Sequence, residues 1–152
     1  MPKSRVKFHW LLAVIISLGV AWYTQFGTDL LRPPETRFIG LWRIDLQATL
    51  NSWARQTKAK RADVALLGAT VSESLSHFRY RFTEDGRIYH GHTRHPNLIA
   101  QYRVLGHGEK HVDLHLIYQG LRRGQTEQGR VEYAGGGMSL LRGKHRVVLV
   151  RD

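Results

Sequence analysis

The chain has no cysteine, which excludes a disulfide framework, a thiolate nucleophile and a lipidation cysteine. Acids are scarce, with Asp+Glu 12 against Lys+Arg 23 and a formal net charge of +11. Paired carboxylates for acid/base chemistry are correspondingly hard to find, and the adjacent Glu84-Asp85 belongs to a turn. Internal repeats and low-complexity tracts are lacking. Known catalytic spacings fail as well. In His107-Gly108-Glu109-Lys110-His111 the glutamate does not follow the first histidine, and glycine turns replace the helix a metalloprotease needs. Gly135-Gly136-Gly137 and Arg142-Gly143-Lys144 lack the spacing of a phosphate loop, and Ser52, Ser72, Ser74, Ser76 and Ser139 lack a nucleophile-elbow setting.

One long apolar run is present. Phe8 to Gly27 carries no formally charged residue, and Lys3, Arg5 and Lys7 stand before it. About 20 apolar residues reach across roughly 30 Å of hydrocarbon. Trp10 near one end and Trp22-Tyr23-Phe26 near the other suit interfacial belts. The run therefore predicts a transmembrane anchor at residues 8–27. A cleaved signal peptide, with Leu11–Leu18 as its apolar core and Gly19-Val20-Ala21 before the cut, is the rival reading. The positive-inside rule places the N-terminus in the cytoplasm and residues 29–152 on the far side of the cytoplasmic (inner) membrane, periplasmic or extracellular. Domains are expected at 1–28 (tail and anchor), 29–37 (a proline-stiffened linker) and 38–152 (one folded body).

Within the body the expected fold class is α+β, mainly β. Phe38–Asp45 reads as a first strand. Leu46, Leu50 and Trp53 then fall at helical spacing behind Asp45 as N-cap, and Val64, Leu67, Val71 and Leu75 mark a second helical face with Asp63 as possible cap. One long helix and a helical hairpin are both compatible. From His77 the period is two. Phe78, Tyr80 and Phe82 alternate with Arg79 and Arg81, Glu84–Arg87 makes a turn, and Ile88–His92 returns. Pro96-Asn97 is expected in a loop. Further strands follow, with Leu98, Ala100, Tyr102 and Val104 sharing one face, then Val112–Leu116, Gln128–Tyr133, Met138–Leu141 and His145–Arg151. Short strands between glycine turns predict an antiparallel meander curled into a small barrel, with the helices over one end or face.

Gly40-Leu41-Trp42 in the first strand, the meander after it and a basic residue closing the last strand together resemble a lipocalin-like (calycin-type) barrel. The resemblance implies that Trp42 closes the barrel floor with Arg151 packed across its ring. It implies binding rather than catalysis, with small apolar ligands as usual cargo and no cofactor. The helical insertion at 46–76 and the missing Thr-Asp pair before a late strand depart from that pattern.

Seven of the nine histidines lie between His77 and His115. His90 and His92, two apart on one strand, share a face with Ile88 and form a candidate metal pair if a third ligand converges. His111, Asp113 and His115 form a second row opposite Val112, Leu114 and Leu116, on the solvent side. The cationic excess implies anionic partners: lipid head groups, acidic proteins or acidic polymers. Arg79, Arg81, Arg103, Arg122 and Arg123 are the candidate residues for that contact. Nucleic acid is disfavoured, because the aromatics sit on the apolar parity of their strands rather than between the arginines. Three readings remain: a membrane-tethered binding or accessory module for a small ligand or acidic partner, a structural subunit of an envelope complex, and a metal site on His90 and His92.

Overall fold

Strand pairing runs unbroken around a ring in a computed structural model, which describes residues 32–152. Eight strands make a closed antiparallel barrel in simple sequence order: β1 (Gly40–Ile44), β2 (Phe78–Phe82), β3 (Arg87–His92), β4 (His95–His107), β5 (His111–Tyr118), β6 (Thr126–Ala134), β7 (Gly137–Arg142) and β8 (His145–Arg151). Closure comes from β1 pairing with β8, Trp42 opposite Arg151 and Ile44 opposite Leu149. Residues 8–27 and 29–31, with the membrane-spanning expectation placed on the former, lie outside the described residues. No described helix is long and apolar enough to cross a membrane.

Among the described residues three α-helices accompany the strands: α1 (Pro34–Arg37), α2 (Leu46–Thr57) and α3 (Arg61–Ser76). Helix α1 occupies the second half of the stretch 29–37, and the compact unit runs from Pro34 to Asp152. Proline suits the first helical turn, where its missing N–H costs nothing. The 46–76 segment resolves into two helices. Lys58 ends α2 in a left-handed conformation (φ 55°), which breaks the axis. Asp45 caps α2 as expected, its carboxylate accepting from Ala48 N–H at 3.0 Å. Asp63 does not cap α3. It lies in the first turn, and Lys60 takes the cap position without a side-chain bond.

Period-two alternation fills the barrel interior. Phe82, Ile88, Val112, Leu114, Leu116, Val131, Met138, Leu140 and Leu149 are each at most 2 % exposed. An eight-stranded barrel is just wide enough for side chains to fill it. Two register shifts interrupt the alternation, one at Ile88/Tyr89 against β4 and one at Val104/Gly106 against β5. The first puts Leu98 opposite Tyr89, out of step with Ala100, and Val104, still opposite Leu114, is 42 % exposed just before the second, so only Ala100 and Tyr102 of the expected face are buried. Pro96-Asn97 is not a loop. Both lie near the start of β4, Pro96 opposite Gly91, where a missing donor is tolerated.

The antiparallel order defines two ends. Turns after β2, β4 and β6 lie at one end, with α1 and Phe38, and this is the floor. Phe38 is fully buried there, edge-on to Phe82 (5.6 Å) and Tyr102 (5.2 Å). Tyr133 donates its hydroxyl to the Pro34 carbonyl at 2.5 Å, tying α1 down. Turns after β3, β5 and β7 lie at the other end, with α2 against β8 and α3 against β1. Thr49 accepts from Val148 N–H at 3.0 Å and holds α2 to the barrel wall. Helix α3 is loosely held, since Val64 is its one buried residue and Leu67, expected inside, is 38 % exposed.

Candidate functional site at the helix end of the barrel

Inward parity carries apolar side chains along most of each strand and polar ones at the helix end. On β7 the inward series Met138, Leu140 ends in Arg142. On β3 the series after Ile88 is His90, opposite Tyr80 on β2. On β5 it ends in Tyr118, and on β6 Glu127 lies opposite Leu116. These residues meet. The Tyr118 hydroxyl donates to Glu127 Oε2 at 2.7 Å, and an Arg142 nitrogen reaches the same hydroxyl at 3.3 Å. The Arg142 guanidinium stands 5.9 Å from the Tyr118 ring centroid. The His90 ring lies 4.3 Å from that of Tyr80 and 5.5 Å from that of Phe78.

Two nitrogens in this group are buried and unsatisfied: Arg142 Nε and His90 Nε2. Buried polar groups are ordinarily paired, because an unpaired one forfeits its hydration without recompense. The electrostatics agree. Burial first, then the Arg142 charge, push His90 below the ordinary imidazole value, so its ring is neutral at pH 7. Burial raises Tyr80, with Arg142 pulling the other way. Burial and the bond to Glu127 raise Tyr118. The region is thus a partly buried polar cluster around one guanidinium, with Glu127 engaged by Tyr118.

The residues expected from sequence are distributed differently. Trp42 and Arg151 meet at the floor as the resemblance implies. The guanidinium lies 4.9 Å from the Trp42 ring, and the indole N–H donates to the Phe38 carbonyl at 2.7 Å. Arg79, Arg81, Arg103, Arg122 and Arg123 do not form one surface. Arg79 pairs with Asp152 at 2.9 Å, and Arg81 and Arg103 stand exposed on the outer walls of β2 and β4. Arg122 and Arg123 belong to the β5–β6 loop at the helix end. His90 and His92 separate: His90 is half-buried beside Tyr80, and His92 is exposed with its ring 5.9 Å from that of His77. Among the described residues no group of three or more His, Cys, Asp or Glu gathers as a metal site. His111, Asp113 and His115 face outward, where Arg130 holds Asp113 at 2.6 Å and keeps its carboxyl below the usual range.

Arg142, Tyr118 and Glu127 escaped sequence reasoning. Their signal was available: Arg142 shares parity with Met138 and Leu140, and Tyr118 with Leu114 and Leu116. Assigning a cation to the interior, however, required the register. A separate open groove of ≈ 540 Å³ runs along the wall beside Leu105, Gly106, Gln128 and Arg130. Comparison with known proteins finds no matching family model, curated protein or solved structure.

Proposed function

We propose that the body is a lipocalin-like binding module that takes a small organic anion at the helix end of its barrel. One observation carries this reading: Arg142 Nε and His90 Nε2 are buried on inward positions at the same end of the barrel, each without a hydrogen-bond partner, and the Arg142 charge acts on His90. An anionic oxygen would satisfy both, and charge-assisted bonds are the strong ones. Glu127 is occupied by Tyr118, so the anion would settle on the Arg142–His90 side. The filled interior restricts the ligand to a small head group. The anchor expected at residues 8–27 would keep this module at the outer face of the cytoplasmic membrane, as an accessory to chemistry performed elsewhere.

The test is calorimetric titration of the full chain with butyrate and with 1-butanol. Butyrate should bind and the alcohol should not. Arg142→Met should weaken butyrate binding at least about tenfold, the worth of a hydrogen bond to a charged group. Equal binding of acid and alcohol, or unchanged affinity in the variant, would exclude this site. Native mass spectrometry of the purified protein should show a copurifying organic acid.

A further inference from the structure

Charge is polarised along the barrel axis. The turns at the floor carry Glu84 and Asp85 after β2, and Glu109 with Lys110 after β4. The connections at the other end carry Arg94 after β3, Arg122 and Arg123 after β5, Lys144 after β7, and Lys58 and Lys60 between the helices, with Arg61 opening α3. No acid stands in those connections. Apolar side chains are exposed at the same end. Leu121, beside the two arginines, is 109 % exposed, and Leu66 on α3 is 70 % exposed. Gly120 and Gly124 take left-handed conformations (φ 69° and 82°) at either side of Leu121-Arg122-Arg123 and lift that tripeptide outward.

We infer that the helix end of the barrel docks on an anionic lipid surface. Basic side chains interspersed with exposed leucines are what an interfacial segment presents, the apolar groups entering the head-group boundary and the cations meeting lipid phosphate. A lipid leaflet offers smeared charge of one sign, and cations from four separate connections with no acid among them match it. An acidic protein would instead be met by mixed charges around a shaped recess, and the groove of this body lies on the barrel wall. Of the carboxylates at this end, Glu127, two residues past the β5–β6 loop, is engaged by Tyr118 and Asp45 caps α2, while Asp63 and Glu73 lie on α3, which assigns the leading contact to the β5–β6 loop rather than to α3.

The lack of cysteine makes the test direct. Gln125→Cys, in the docking loop, and Glu84→Cys, at the floor, are each labelled with a fluorophore in the full chain. The chain is reconstituted with vesicles of phosphatidylcholine alone or with 30 mol % phosphatidylglycerol, both containing brominated lipid as quencher. Quenching at position 125 should exceed that at 84 several-fold in the anionic vesicles. It should fall to the level of position 84 in neutral vesicles, in 0.5 M NaCl, and when Arg122→Glu and Arg123→Glu are combined. Leu121→Ser should reduce it with circular dichroism unchanged. Equal quenching at the two positions, or equal quenching with and without phosphatidylglycerol, overturns the inference. So does an aqueous label at 125 that is shielded only by added acidic protein. Arg142→Met should leave the quenching unchanged, which separates this face from the interior anion site.

Discussion

Single side chains in this protein are legible or hidden according to how many strands define them. Trp42 and Arg151 were readable because a Gly-x-Trp strand and a terminal basic residue are local marks. Their contact stacks a cation on a buried indole, so Arg151→Met should cost about 1–2 kcal/mol, read from denaturant midpoints. Trp42→Ala should cost about 3–5 kcal/mol, since it also strands the Phe38 carbonyl. His90 was visible as one of a pair, and its ring packs beside Tyr80 where the barrel passes from interior to rim. Its folded value lies below that of free imidazole. Between the two values the unfolded chain binds more protons, so stability falls as pH drops below about 6.5 and is intact above it. Thermal melts from pH 7.5 to 5 should show this slope, and His90→Gln should flatten it. Bound butyrate should oppose it, because an anion favours the imidazolium, and butyrate affinity should rise as pH falls through the same window.

Elements were recovered where a pattern is local and missed where partners decide. Strand β2 and strand β8 match their expected bounds, because alternation and flanking turns fix them. Pro96 was misassigned because composition marks a proline as a breaker, whereas its place beside the first residue of β4 makes the lost donor harmless. Leu98 was misassigned because a register shift inverts parity, and only the pairing with β3 reveals it. The helices differ in how their starts are made. Asp45→Ala should destabilise by about 1 kcal/mol, the worth of a side-chain cap. Lys60 holds an extended cap conformation (φ −68°, ψ 145°) with nothing to accept from the first turn. Lys60→Ser should therefore stabilise the fold by several tenths of a kcal/mol in the same measurement.

For the whole molecule, the barrel and its eight strands were foreseeable from strand spacing, but the register that closes it was not, since pairing of β1 with β8 joins residues over a hundred apart. Protection should be graded accordingly. Amides of β5 and β6, over Val112, Leu114 and Val131, should exchange only through global unfolding, and those of α3 through local opening, as hydrogen exchange by mass spectrometry would show. The ring of hydrogen bonds has a further consequence. A sheet with no free border offers nothing for a foreign strand to extend, so this body should resist fibre formation while intact. That safety depends on one short seam, three residues of β1 from Trp42 to Ile44 against the end of β8. Any lesion that unzips it bares two sticky margins together, and aggregation should begin there.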